Sequence, residues 1–254
     1  MCFALLAIQA HPHYAFILAA NRDEYFARAS APLGIWPNNP MIIGGQDLVS
    51  GGSWLAINPA MQRLALVTSY RAGIPQTQKL SRGLLVNHVL TSQQPLNDTL
   101  QQLEATRYDY GLFNLIAGQL PDRLYYLANH NESTLQPITS GIHALSNASL
   151  NTPWPKIRSG KQAFTDCLSK PRLDIKCLFK LLQNTQAAPD HELPNTGIGL
   201  NKERWLSSVF IQGQDYGTRC STVILLNHQG QLDYYERSFT PDASPSTVHL
   251  TIDL

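Results

Sequence analysis

A chain of 254 residues with 43% apolar and 15% charged residues can bury a substantial core as one large domain or two small ones. Its formal net charge of +1, with no run of like charges, gives no electrostatic reason to expect nucleic acid or an anionic membrane surface as the main partner. Repeats and low-complexity tracts are absent, which excludes solenoid and fibrous architectures.

Cys2 to Gln9 opens the chain as a buried strand, with His11-Pro12-His13 as its turn and Tyr14 to Ala20 as the returning strand. The polar cluster Asn21-Arg22-Asp23-Glu24 follows where that strand is expected to end, a composition that suits a solvated turn. In an antiparallel hairpin the end of the second strand lies beside the start of the first, so the cluster and Cys2 are expected to be neighbours. Gly44-Gly45-Gln46-Asp47 and Gly51-Gly52-Ser53-Trp54 read as tight turns.

Trp54 to Asn58 and Arg63 to Tyr70 form a second hairpin around Asn58-Pro59. Ser81 is the expected N-cap of a helix over 82–92, and Asn97 that of a helix ending at Ala105. Strands are expected at Gly111–Ala117, Arg123–Ala128 and Ile142–Ser146, and amphipathic helices at Pro155–Leu168 and Asp174–Asn184. A polar loop through Pro189, Pro194 and Gly199 leads to strands near Leu206–Gln212, Cys220–Leu226 and Asp233–Phe239. No linker divides the chain, so 1–254 reads as a single domain, with helices covering two packed antiparallel sheets.

Four cysteines, Cys2, Cys167, Cys177 and Cys220, form no Cys-x-x-Cys pair, and four in so long a chain is not a disulfide scaffold. Reduced thiols and a cytoplasmic location are expected, since no basic segment precedes the seven-residue apolar stretch and none approaches the ~20 residues needed to span a bilayer. The histidines lack metal-ligand spacing, so no metal site is expected.

Cys2 is the residue with the most chemistry in prospect. Removal of Met1 would leave one residue carrying both a thiol, with a pKa near 8.5, and an α-amine, with a pKa of about 7.7–8.0, so that nucleophile and base sit together. The ordinary role of such a cysteine is a small apolar residue opening a buried strand. Asp23 would orient the amine and Arg22 would lower the thiol pKa or hold an anionic group. Arg219, at the entrance of a strand, and Asn147, beside the rigid turn Thr152-Pro153-Trp154-Pro155, complete the polar candidates.

Taken together, Met1-Cys2, Asn21-Arg22-Asp23-Glu24, Gly44-Gly45-Gln46-Asp47 and Gly51-Gly52-Ser53-Trp54-Leu55 resemble the NRDE family, which includes the Transport and Golgi organisation protein 2 homologues. Ser81-Arg82-Gly83, Gly111-Leu112-Phe113-Asn114-Leu115, Leu145-Ser146-Asn147-Ala148, Asn151-Thr152-Pro153-Trp154-Pro155-Lys156, Tyr216-Gly217-Thr218-Arg219 and Glu236-Arg237 continue the resemblance in order along the chain. It implies an α+β fold, a four-layer αββα sandwich of the N-terminal-nucleophile hydrolase type. More distantly the chain is similar to the choloylglycine hydrolase and penicillin V acylase group. By that similarity Cys2 is the nucleophile, Asp23 holds its amine, Asn147 resembles the active-site asparagine and Arg219 the arginine near the nucleophile. Asn21, Arg22, Glu24, Trp54, Ser69 and Arg71 are the expected substrate contacts. Two departures stand out: Arg22 falls one residue after the arginine of those acylases, and Ser69 replaces an asparagine in Val67-Thr68-Ser69-Tyr70-Arg71, a shorter side chain without an amide donor.

Two functions fit. The first is an N-terminal-cysteine hydrolase acting on an acyl-amide or thioester bond, with no cofactor required. The second is a carrier on the same scaffold, which the resemblance links to haem trafficking and acyl-CoA or lipid handling. There Arg22, Arg71 and Arg219 would pair with propionates or phosphates, and Trp54 or Trp154 would cover an apolar cargo. A carrier has no evident need of cysteine at position two, which favours the hydrolase.

Overall fold

The computed structural model describes residues 2–73, 79–130, 134–241 and 243–254. The processing of Met1 therefore falls outside the described residues.

The first hairpin sets the architecture. β1 (Cys2–Ile8) and β2 (Tyr14–Tyr25) pair antiparallel, and both are apolar on each face. Strand side chains alternate between faces, so the even residues Ala4, Leu6, Ile8, Phe16, Leu18 and Ala20 enter one core and Phe3, Leu5, Ala7, Ile17 and Ala19 another. A strand buried on both faces must lie in an inner layer.

The even face meets a second sheet built from β3 (Ser30–Trp36), β4 (Asn39–Asp47), β5 (Leu55–Asn58), β6 (Arg63–Ser69), β7 (Phe113–Gln119), β8 (Arg123–Ala128) and β9 (Gln136–Pro137), paired in that order. The first sheet runs β10-β1-β2-β11-β12-β13, with β10 (Gly141–Leu145), β11 (Tyr216–Asn227), β12 (Gln231–Thr240) and β13 (Ala243–Asp253). All paired strands are antiparallel.

The odd face of β1 and β2 packs with α3 (Pro155–Leu168) and α4 (Ile175–Leu182). The outer face of the second sheet packs with α1 (Gly83–Thr91) and α2 (Leu96–Ala105), and a short α5 (Leu200–Trp205) precedes β11. Two antiparallel sheets and five α-helices among the described residues thus form an α+β sandwich.

Several sequence expectations need correction. Asn21 to Glu24 is no solvated turn: β2 continues to Tyr25, and Asn21, Arg22 and Asp23 are at most 5% exposed because β1 and β11 flank them and their side chains find buried partners. Gly44-Gly45-Gln46-Asp47 belongs to β4. Its glycines serve close packing, since a Cβ on Gly45 would lie 2.1 Å from the Trp54 ring.

Ser81 does not cap α1 with its side chain; its carbonyl accepts from the Leu84 amide at 3.1 Å. Pro95 rather than Asn97 precedes α2, and its carbonyl accepts from the Thr99 amide. The run at Leu206–Gln212 is irregular rather than a strand. It is buried because side chains satisfy its backbone, Asn21 donating to the Val209 carbonyl and Thr218 accepting from the Ile211 amide. β3, β13 and α5 had no clear sequence signal.

Cys167 and Cys177 form a disulfide, contrary to four free thiols; the end of α3 and the start of α4 bring their Cα atoms to 5.9 Å. Among the described residues no helix is long and apolar enough to cross a membrane.

Candidate functional site

Parity along the first hairpin decides what faces what. Cys2 continues the even face and pairs directly with Arg22, which shares that face, whereas Asn21 and Asp23 continue the odd face toward the helices. At this end of the sandwich the two sheets splay around a cavity of about 130 Å³. Its lining includes Cys2, Arg22, Asp23 and Glu24 from the first sheet, with Trp54, Ser69, Ser81 and Arg82 opposite.

The α1 side of this cavity depends on a close approach. A Cβ on Gly52 would sit 2.4 Å from the Gly83 carbonyl carbon, so the turn after β4 can lie against the start of α1 only with glycine there. That contact carries Ser81 and Arg82 to the rim.

Arg22 is held on two sides. Its Nη2 lies 3.2 Å from Asp47 Oδ2, and its guanidinium carbon stands 4.1 Å from the Trp54 ring centre. Asp47 also accepts from Arg28 Nε at 2.6 Å and from the Val49 and Ser50 amides. Burial pushes the Asp47 carboxyl up, but the Arg28 bond, the Ser50 amide and the Arg22 charge together hold it below the usual carboxylate range.

Cys2 is partly buried. Burial raises its thiol pKa, with the Arg22 charge and the Asp23 backbone amide acting the other way. Burial pulls the Arg82 pKa down, while Cys2 and Glu24 favour its charged form.

Asp23 is buried beside β11. Thr218 Oγ1 donates to its Oδ1 at 2.8 Å, and the Tyr216 hydroxyl donates to its backbone carbonyl at 3.1 Å. Burial raises its carboxyl pKa, while Lys156, Thr218 and Arg71 favour the charged form.

Four expected site residues do not line this cavity. Asn147 is fully buried. Its Nδ2 donates to the Ser69 carbonyl at 2.8 Å, while Ser146 Oγ donates to the Cys2 carbonyl at 3.0 Å, so the Ser146-Asn147 pair ties β1 to β6. Arg71 pairs with Glu203 at 2.8 Å, each side chain 3% exposed, and stacks 4.8 Å from the Trp154 ring. Asn21 donates to the Leu182 and Val209 carbonyls and accepts from Ser221, pinning the helix layer to β2.

Arg219 occupies a bulge between Thr218 and Cys220. It donates to the Tyr25, Phe26 and Arg28 carbonyls at 2.8, 3.2 and 2.9 Å. It therefore holds the turn that carries Arg28.

A family model described as "Transport and Golgi organisation 2" matches residues 1–241. The chain belongs to this family. The Homo sapiens "Transport and Golgi organization protein 2 homolog" is 35% identical over 241 residues, covering 89% of this chain and 87% of the relative. The Drosophila melanogaster "Transport and Golgi organization protein 2" is 28% identical over 284 residues, covering 100% and 98%.

In this member of the Transport and Golgi organisation 2 family, sequence reasoning missed Arg28, Asp47 and Arg82, which line the cavity. Asp47 and Arg82 stand in quoted motifs that had been given no role. Arg28 carries no local signal; only the fold of the β2–β3 turn brings it to Asp47. Among the described residues no cluster of His, Cys, Asp and Glu could hold a metal ion.

Proposed function

We propose that this chain is a hydrolase of the N-terminal-nucleophile type, cleaving an acyl-amide or thioester bond with Cys2 as nucleophile. The observation that carries the reading is the position of Cys2 at the wall of a polar cavity, paired with Arg22 and next to Asp23.

Once Met1 is removed, the freed α-amine of Cys2 takes the thiol proton and the thiolate attacks the substrate carbonyl carbon. The developing oxyanion meets the positive lining supplied by Arg22 and Arg82. Collapse of the tetrahedral intermediate breaks the C–N or C–S bond. The ammonium returns its proton to the leaving group, leaving an acyl-thioester on Cys2. Water, deprotonated by the same amine, then releases the acid and restores the thiol. Asp23 holds the ammonium in place. Asn147, whose amide is committed to the Ser69 carbonyl, contributes by fixing that backbone.

The test is a screen of N-acyl amides and acyl thioesters with native protein and Cys2→Ala, alongside intact mass. Loss of Met1 and loss of turnover in Cys2→Ala are the expected results; equal turnover by both proteins would overturn the reading.

One observation favours carriage of haem or an acyl-CoA instead. A second groove of about 580 Å³, walled by Tyr25, Tyr70, Trp205 and Tyr216, opens at the same end of the sandwich. Two arginines expected to grip such a cargo are otherwise engaged, Arg71 by Glu203 and Arg219 by backbone carbonyls. Saturable haem or acyl-CoA binding that survives Cys2→Ala and is lost in Trp205→Ala would establish carriage.

A further inference from the structure

The stacked pair Arg22 and Trp54 is a wall with two sides. One side faces the Cys2 cavity, the other a second cavity of about 190 Å³, and both residues line each. Strand register explains the arrangement. Arg22 is paired with Cys2 on β1 and with Cys220 on β11, so all three share the inner face of the first sheet. Cys220 pairs in turn with Ser238 on β12, which puts Glu236, two residues away, on that face as well.

A carboxylate between two packed sheets calls for partners. Glu236 is 1% exposed, and its Oε1 accepts from the Leu33 amide of β3 at 2.7 Å, tying the two sheets together. Burial raises its pKa, while the Leu33 amide, Cys220, Arg22 and Thr222 favour the charged form. Arg22, 5% exposed, gives Nη2 to Asp47 and one face to Trp54. Among the described residues Glu236 Oε2 and Arg22 Nη1 complete no hydrogen bond, though both are buried. A buried acceptor and a buried donor thus stand idle on two residues that line one cavity, a costly arrangement unless something meets them.

The rest of the lining sets the class of ligand. Ala31, Pro32 and Phe239 supply apolar surface, and Arg219 adds a second guanidinium. A cation would meet both arginines. An anion would meet the Glu236 carboxylate, with Arg22 already matched by Asp47. A neutral amide escapes both objections, since its carbonyl accepts from Nη1 and its N–H donates to Oε2. We propose that this second cavity is a binding site for a small neutral carboxamide with a short alkyl tail, the amide held between Arg22 and Glu236. Its occupant touches the guanidinium that pairs with Cys2, yet the site requires no reaction at the thiol.

Three molecules of matched size test it: butanamide, butanoate and butylammonium, each titrated into the full-length protein. The Trp54 indole N–H resonance, assigned with Trp54→Phe, reports occupancy. Butanamide should shift it saturably in the millimolar range, and either ion should bind at least about tenfold more weakly, because like charges brought together in a closed site cost that much. Glu236→Gln, which removes an acceptor, should weaken butanamide by about tenfold or more. Ser246→Phe, on the exposed rim, should abolish binding in a protein of native unfolding transition. Equal binding of either ion would overturn the ligand class, and butanamide binding that survives Ser246→Phe would overturn the location. No saturable shift with any of the three would mean that the cavity holds water alone, and the proposal would fall. Should Glu236→Gln not fold, Ser246→Phe decides.

Discussion

Cys2 and Arg22 face each other across the antiparallel β1–β2 pair, on the face of the sheet that meets its partner sheet. Directly opposed residues in such a pair hold their Cβ atoms about 4.5–5.5 Å apart. The thiol therefore lies beside a guanidinium that Asp47 and Trp54 keep from swinging away. The register of one hairpin brings them together, and one residue of slip in either strand would turn that strand's side chain to the opposite face.

Thiol labelling should follow this geometry. Cys220 is 4% exposed, Cys167 and Cys177 are joined, and Cys2 is partly exposed. Iodoacetamide under native conditions should modify Cys2 first, read by peptide mass. Because burial raises its pKa, the rate should climb about tenfold per pH unit through neutrality, following the thiolate fraction. Faster labelling at Cys220 would contradict the placement.

Arg219→Ala should act on stability before chemistry. The variant leaves the Tyr25 and Arg28 carbonyls without their donor and frees the turn that carries Arg28. A loss of about 2–4 kcal/mol in urea unfolding is expected, the scale of deleting hydrogen bonds from a charged donor. A protein of native stability that had lost all activity would instead place Arg219 at the reacting atoms.

Glu203→Gln should cost about 3–5 kcal/mol, because it strands the buried Arg71 charge. Replacing both residues by methionine should cost less than the sum of the single changes, since the double variant buries no unpaired charge. Strict additivity in denaturant unfolding would show that the pair is not coupled.

Acid stability should carry a signature of His130. Its ring stacks on Tyr70 with centroids 3.8 Å apart, and its Nε2 lies 2.8 Å from Asn114 Oδ1. That oxygen already accepts from the Tyr126 hydroxyl. Burial lowers the His130 pKa to about 4. The unfolded chain then takes up a proton near pH 6.5 that the folded state refuses until about pH 4. Stability should be undiminished above about 6.5 and fall on acidification by at most about 1.4 kcal/mol per pH unit through that window. His130→Gln should flatten that part of the profile in unfolding measured from pH 7 to 4; an unchanged slope would show that His130 protonates freely in the folded protein.

Much of the fold was legible in local pattern. β1, β8 and α3 follow their apolar spacing closely, because burial on two faces leaves a continuous apolar strand and burial on one face leaves a helical stripe. The nearness of Cys2 to Asn21-Arg22-Asp23-Glu24 was legible too, since hairpin geometry requires it. What local pattern hid was that this cluster lies inside a strand. A polar run reads as solvated unless its partners are known, and those partners stand 25 to 200 residues away, at Asp47, Leu182, Thr218 and Ser221.

From its order of residues alone, the protein determined which segments pair nearby, which faces are apolar and that a cysteine opens the first strand. Only the tertiary structure decided which polar groups line the cavity and which are consumed in holding it: Arg22 and Arg82 at the wall, Arg71, Arg219 and Asn147 behind it. The physical reason is that a charged side chain finds its role through whichever opposite charge or carbonyl the folded chain places within about 3 Å. Such pairings join residues far apart in sequence, and the periodicity of a strand or helix carries no record of them.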